Sequence, residues 1–295
     1  MPLPRLAVVG VGLIGGSFSL ALKRAGAVAE VVGLGRAPLD EALRLGVIDR
    51  AAANIRDAVT AADVVLLATP VGQMPQLFAA IRDVLPPGCL ITDAGSTKQD
   101  VIGAAKAGLG ERVSQFVPAH PVAGREKSGV AAAEPALFEG RHVVLTPSAD
   151  QRAEDVDRIA ALWRACGARV STMTPTQHDA VFAAVSHLPH MLAYALVDDI
   201  AARPNADELF AFAAGGFRDF TRIASSSPEM WRDIALNNRE ALLCEIDSYG
   251  DKLAALRALV AAGDGPGLER LMARARDRRD AWLARFNVGA ENTAE

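Results

Sequence analysis

The sequence predicts an α/β domain followed by an all-helical domain. Three observations predict it. Short apolar runs alternate with helical patterns over residues 1–173, the pattern of βαβ units and a mostly parallel sheet. A glycine-rich turn, Gly10-Val11-Gly12-Leu13-Ile14-Gly15, joins the first run to the first helical pattern. After Thr174-Pro175 the strand signals stop.

Strands are expected at 6–9, 28–33, 64–68, 89–92, 115–117, 142–145 and 168–173. Most of these runs are apolar throughout rather than alternating, which suits strands covered on both faces. The first helix is expected over 14–25, with Gly26 as its C-terminal stop. From Gln177 onward the patterns are helical only: 185–197, 207–214, 228–256 and 268–286. Ser227 with Pro228 makes a good start for the third of these, which reads as one long helix. The boundary is therefore placed at 173, giving 1–173 and a helical 174–295. The amphipathic helices of the second part have enough apolar face to bury a dimer interface.

Composition excludes several classes. A chain of 295 residues suggests two domains at roughly 100–200 residues each. Its net charge of −4 offers no broad basic surface for nucleic acid. No unbroken apolar run reaches the roughly 18 residues of a membrane span, and the N-terminus lacks the pattern of a signal peptide. Cys89, Cys166 and Cys244 are widely spaced and odd in number, so they suggest neither a disulfide nor a zinc framework and fit a reducing cytoplasm. No metal is expected. The chain ends about ten residues past the last expected helix, so it reads as monofunctional.

The glycine turn has the spacing G-x-G-x-x-G, directly after a strand and at the opening of a helix. That context suits a Rossmann-type dinucleotide-binding domain. Gly10 permits the tight turn, Gly12 lets a pyrophosphate approach the backbone, and Gly15 lets helix and strand pack closely. Leu13 and Ile14 open the helix whose N-terminus would face the phosphates. Thr69 and Pro70, which follow the 64–68 strand, are assigned to the same cofactor site. An acid that would bond the ribose 2′-hydroxyl is expected about 20 residues past the loop. Gly35 stands there instead, followed by Arg36. An arginine can pair with a 2′-phosphate in a fork, so NADP is favoured over NAD. A methyltransferase loop is a rival for the glycine turn alone.

His120 lies in Ala119-His120-Pro121, just past an expected strand, where open α/β sheets bind ligands. Its ordinary pKa suits a general base that takes a proton from a hydroxyl. In the helical half, Pro189 is expected to free the carbonyl of Val185 and kink its helix, placing Ser186 and His190 on one polar face. His178 and His142 read as structural or exposed.

The chain resembles the prephenate/arogenate dehydrogenase family. The motifs are GVGLIGGS at 10–17, DAGSTK at 93–98, HPVAGREKSG at 120–129, SHLPH at 186–190 and DFTR at 219–222, with Trp231. They run in order over nearly the whole chain. The resemblance implies a Rossmann domain, a helical dimerisation domain and a homodimer. It also implies a reaction of tyrosine biosynthesis: hydride loss from a ring carbinol carbon, loss of the ring carboxylate as CO2, and aromatisation.

On the same resemblance, His120 takes the ring hydroxyl proton and Ser96 sits beside that hydroxyl. Arg222 holds a substrate carboxylate. Ser186, His187 and His190 line the pocket, and Glu126 and Trp231 lie at or near it. Arg125 departs from the small polar residues common at its position, which leaves side-chain specificity open. The substrate is a dicarboxylate, and a buried carboxylate needs a cation or several donors; an arginine can supply a bidentate fork. Arg218 meets that need on physics as well as Arg222 does; only the resemblance selects Arg222. Asp219 is placed to orient Arg222 at i, i+3. Tyrosine is a candidate competitor at the same pocket. Two rival functions stand beside this one: another two-domain hydroxy-acid dehydrogenase, and an NADP-sensing protein without turnover. The first would not need both HPxAGxEKSG and SHLPH. The second would not need His120, Ser96 and Arg222.

Overall fold

The computed structural model describes residues 2–124, 129–149 and 151–291, with side chains described to residue 284. Six parallel strands form the main sheet in the order β3-β2-β1-β4-β5-β6. They are β1 (Leu3–Val9), β2 (Val28–Leu34), β3 (Arg50–Ala51), β4 (Val64–Leu67), β5 (Leu90–Asp93) and β6 (Phe116–Val117). A second sheet runs β7-β8-β9, with β7 (Ala119–Pro121) antiparallel to β8 (His142–Leu145) and β8 parallel to β9 (Arg169–Thr172).

The helices interleaved with these strands are α1 (Leu13–Arg24), α2 (Asp40–Arg44), α3 (Ile55–Val59), α4 (Met74–Arg82), α5 (Gln99–Leu109) and α6 (Ala153–Ala165). Then come α7 (Pro175–Phe182), α8 (Leu188–Ala201), α9 (Ala206–Ala211), α10 (Gly215–Thr221), α11 (Pro228–Asn237), α12 (Arg239–Ala261) and α13 (Gly265–Glu291).

The continuous apolar runs are explained by the layers. Leu6 and Val8 of β1 face one core, with Phe18, Leu22 and Trp163. Ala7 and Val9 face the other, with Phe78 and Ile81. With period-two side chains, a strand buried on both faces has no polar position to spare. Helix α1 ends as expected: Gly26 has φ +62 and the N–H of Ala27 bonds the carbonyl of Leu22 at 2.9 Å, a Schellman stop.

Several expectations need correction. His120 is not in a loop beyond a strand end. Pro118 has no N–H with which to continue the first ladder. Pairing restarts in β7, with His120 opposite Val144. The kink at Pro189 is replaced by a π-turn, Ala183–His187, that joins α7 to α8. Pro189 then falls in the first turn of α8, where a missing N–H is tolerated. The expected helix 228–256 breaks at Asn238 (φ −107°, ψ 35°). Finally, the helical run Pro175–Ala201 is long and apolar enough, by composition alone, to cross a membrane, with a hydropathy of 1.5. Counting only unbroken apolar runs missed it. His178, Asp179 and His187 on this run are buried and hydrogen-bonded inside the protein, so one face packs against protein, while 28% of the apolar window is buried.

The described chain packs as two compact units, Met1–Arg239 and Glu240–Glu295. Within the second, Gly263 (φ +64) turns the chain and the Asp264 carboxylate accepts the N–H of Gly267 at 2.9 Å. Leu243, Ile246, Tyr249, Leu253, Val260, Met272 and Trp282 are exposed there.

Candidate active site

The strand order of the main sheet reverses between β1 and β4. In open α/β sheets the crevice beyond that switch point binds ligands. The glycine turn follows β1 and Thr69-Pro70 follow β4, so the two segments flank the crevice. Gly10 has φ +98, and a Cβ there would fall on the carbonyl oxygen of Ala68. A Cβ on Gly15 would strike the carbonyl oxygen of Gly10 and lie 2.9 Å from Val8. Around Gly12, by contrast, nothing lies within 4 Å of such a Cβ. No side chain caps α1, and its first turn holds no acid, which leaves its N–H groups and dipole for an anion. The buried hydroxyl of Thr69 has no hydrogen-bond partner among the described residues. Arg36 is exposed beyond the end of β2, next to Gly35.

A second group of residues surrounds His120. Asp93, at the end of β5, is fully buried and ion-paired with fully buried Lys98. It also accepts the N–H groups of Gly95 at 2.8 Å and Ala119 at 2.9 Å. Lys98 Nζ donates to the carbonyl of Ala119 at 2.7 Å. Both charges are thus paired and further hydrogen-bonded, as burial requires. The result fixes the 94–98 segment, which carries Ser96, against the residue preceding His120.

His120 Nδ1 lies 2.8 Å from His178 Nε2, and His178 Nδ1 lies 2.8 Å from Asp179 Oδ1. Asp179 also accepts the backbone N–H groups of Lys98 at 2.8 Å and Gln99 at 2.9 Å, where α5 begins. Burial opposes its ionisation, but the bonds from His178, Gln99 and Lys98 prevail and hold its carboxyl below the usual range. Asp179 is therefore an acceptor only, so His178 carries its proton on Nδ1. Nε2 of neutral His178 is then an acceptor, and His120 must carry its proton on Nδ1. His120 Nε2 is left with a bare lone pair, and no described residue bonds to it. Burial, with the neighbouring His178, Lys98 and His187, pushes the His120 pKa well below its ordinary value. His120 is thus neutral at neutral pH, as a base must be.

The helical half supplies a third group. Asn238 donates to the carbonyl of Asp179 at 2.8 Å and lies 3.1 Å from His187 Nδ1. Asn238 makes these contacts from the position where the helix breaks. Burial lowers the His187 pKa to about 4. Nε2 of His187 and Nε1 of Trp231 are buried with no partner among the described residues. His190 Nδ1 donates to the carbonyl of Ser186 at 2.9 Å. His190 feels the charge of Arg222, which, after burial, lowers its pKa further.

The structure therefore gathers His120, His187, His190 and Trp231, with Arg222 near enough to act on His190 electrostatically. Arg222 sits in the short 3₁₀ turn Arg222–Ser225 rather than on the DFTR helix. Asp219 bonds Arg218 at 3.3 Å, so its expected partnership with Arg222 is replaced by an exposed pair with its neighbour. Ser96 sits in the segment held by Asp93 and Lys98. Arg125 and Glu126 lie outside the described residues. Sequence reasoning gave no role to Asp179, Asp93, Lys98 and Asn238 and read His178 as structural or exposed, whereas it is fully buried and bonded to His120 and Asp179. DAGSTK contains two of these, and the His-Asp pair directly after the Thr174-Pro175 helix start was a readable signal for two more.

Comparisons with known proteins agree with this geometry. Residues 18–172 match the family model for the nucleotide-binding domain of prephenate dehydrogenase, and residues 174–274 match that for its dimerization domain. A prephenate dehydrogenase of Bacillus subtilis is 41% identical over 279 residues, covering 92% of this chain and 74% of the relative. A cyclohexadienyl dehydrogenase of Zymomonas mobilis is 36% identical, covering 88% of this chain and 89% of the relative. The crystal structure of prephenate dehydrogenase from Aquifex aeolicus, in complex with hydroxyphenyl propionate and NAD+, superposes with a TM-score of 0.89. It is 35% identical, covering 95% of this chain and 99% of that one. With a nucleotide-type crevice on one side, a neutral buried histidine on the other and both halves matched, the chain belongs to the prephenate dehydrogenase family of nicotinamide-dependent oxidoreductases.

Proposed function

We propose that the chain catalyses the oxidative decarboxylation of prephenate or arogenate in tyrosine biosynthesis. The observation that carries this reading is the bare Nε2 of neutral, buried His120, held by a fixed chain of tautomers. A hydroxyl whose proton passes to Nε2 can become a carbonyl as hydride leaves its carbon. Ser96 orients that hydroxyl. Arg222 binds a substrate carboxylate, and Ser186, His187, His190 and Trp231 enclose the ring and side chain. The indole N–H of Trp231 and the Nε2–H of His187, whose Nδ1 faces the Asn238 amide, are two donors ready for a polar substrate group.

The residues present fit a nicotinamide dinucleotide. Gly10, Gly12, Leu13, Ile14 and Gly15 would hold its pyrophosphate, while Thr69 and Pro70 would line the crevice between β1 and β4. When bound, the oxidised nicotinamide accepts the hydride. Gly35 and Arg36 favour NADP over NAD, because no carboxylate stands where it would repel a 2′-phosphate. The Aquifex relative was crystallised with NAD+; an acid at the corresponding place would separate the two.

Residues 1–173 serve as the dinucleotide-binding part and 174–295 as the substrate and dimerisation part, a division by task rather than by packing. The exposed apolar side chains of α12 and α13 support a homodimer. A cytoplasmic location and competition by tyrosine belong to the same proposal. The test is to mix the protein with prephenate or arogenate and each cofactor and to follow reduced-nicotinamide absorbance. Reduction that requires the substrate supports the reading. Cofactor binding without turnover of either compound would favour a sensor.

A further inference from the structure

We propose that His178 and Asp179 form a proton relay that stores the substrate's hydroxyl proton during the reaction and returns it. The proposal rests on His120 being the base. It gives His178 a task beyond orienting His120.

The overall chemistry creates the need. Removal of hydride and CO2 from a hydroxy-dienyl carboxylate leaves a phenol. The hydroxyl proton taken as the carbonyl forms goes back when the ring aromatises, and no net proton is released. The step balances as follows. The substrate O–H bond breaks and an Nε2–H bond forms on His120. The Nδ1–H bond of His120 breaks and an Nε2–H bond forms on His178, which keeps its Nδ1–H on Asp179. His178 becomes the cation. As CO2 departs, the electron pair of its carbon–carbon bond enters the ring, and the oxygen recovers the proton along the same path.

The surroundings favour His178 as the holding site. A proton on His120 would sit in a buried place, close to the Lys98 ammonium and to His178 and His187, all of which disfavour it. Burial, the largest influence, and Lys98 lower the His178 pKa too, but its Asp179 hydrogen bond and the carboxylates of Asp179 and Asp93 oppose the shift and make His178 the less unfavourable of the two sites. Asp93 is largely neutralised by its own pairing with Lys98. His178 is 0% exposed, so the held proton has no direct route to water. The N–H groups of Lys98 and Gln99 keep Asp179 ionised and aimed.

The test separates storing from orienting. In His178→Gln the amide oxygen still accepts the His120 Nδ1–H, but it has no useful proton affinity. The expected result is a kcat loss of about 10²-fold, substrate KM within about threefold, and an acid limb of the kcat profile displaced to lower pH. Asp179→Asn should move kcat and the acid limb in the same directions. A His178→Gln protein that binds cofactor normally and turns over within about threefold of the parent would overturn the relay. If His120→Asn also turns over normally, the base itself is misassigned; if only His178→Gln does, the relay alone fails. Independently of activity, nitrogen-15 NMR of histidine-labelled protein should find His178 protonated on Nδ1 and His120 bare on Nε2. The opposite tautomers would also overturn the relay.

Discussion

The indole of Trp231 lies almost flat on the imidazole of His190, with ring centroids 3.6 Å apart and planes inclined by 19°. The same imidazole is tethered at its edge, where Nδ1 donates to the Ser186 carbonyl. A ring held by a carbonyl and an aromatic face has one orientation and, with Nδ1 donating, one neutral tautomer. Its Nε2 is thereby presented as an acceptor. Ser227 makes this possible by starting α11, accepting the N–H of Met230, which sets Trp231 in the first turn.

Trp231→Leu should remove the stack while keeping an apolar filling. Aromatic pairs contribute about 0.5–1.5 kcal/mol beyond burial, so KM for prephenate should rise by roughly 2–10-fold. Cofactor affinity should stay unchanged. Steady-state kinetics with a cofactor titration checks both. An equal loss of cofactor binding would mean that the whole crevice had shifted.

Arg222 should act mainly through KM. Its carboxylate partner becomes neutral CO2, so tight binding helps the ground state more than the late transition state. Arg222→Gln should cost about 2–5 kcal/mol in kcat/KM, the range for removing one partner of a charge pair that the bound substrate would desolvate. Arg222→Lys should recover only part of it, because a point charge cannot form the fork. Arg218 and Arg222 are both exposed in the free protein, but it is the charge of Arg222 that His190 feels, so Arg218→Gln should be the milder change. If the Arg218 variant is the worse one, the carboxylate is held one turn earlier.

Gly35→Asp combined with Arg36→Ser should shift cofactor preference toward NAD. A carboxylate at the end of β2 bonds a ribose hydroxyl and repels a 2′-phosphate. The measurement is kcat/KM for both cofactors in parent and variant. A parent that already prefers NAD strongly would remove Arg36 from the site.

Much of this arrangement was legible before the structure. The two-sided burial of β1 and β4 was written in the uninterrupted apolar runs at 6–9 and 64–68, and the turn after β1 in its G-x-G-x-x-G spacing. The histidine relay was not. His178 and Asp179 sit in a helical segment 58 and 59 residues after His120, and no periodicity reports which buried side chains meet across a fold. The π-turn was hidden for a related reason: Pro189 announces a disturbance, but packing decides whether the helix kinks or widens. Asn238 looked like an ordinary helical position because its purpose is a distant carbonyl.

Stability should fall on mild acidification. The unfolded chain protonates its histidines near pH 6.5, whereas the folded protein keeps His187 neutral down to about pH 4. Burial lowers the pKa of His120, His178 and His190 as well. Between those pH values the unfolded state holds more protons, so folding free energy drops as pH falls through 6.5 toward 4. Urea melts at pH 7.5, 6 and 5, taken as approximate settings that bracket the free-histidine pKa, should show a falling midpoint, and His187→Asn should flatten the trend. A midpoint that rises with acid would contradict the burial of neutral histidines.

The most direct measurement is turnover of His120→Asn beside the parent, with prephenate and saturating cofactor. Asparagine can keep a polar side chain in β7 but cannot take the proton. The expected result is a kcat lower by about 10²–10⁴-fold, with cofactor binding retained and substrate KM little changed. A folded His120→Asn protein that reduces the cofactor at close to the parent rate would contradict the assignment of His120 as the base.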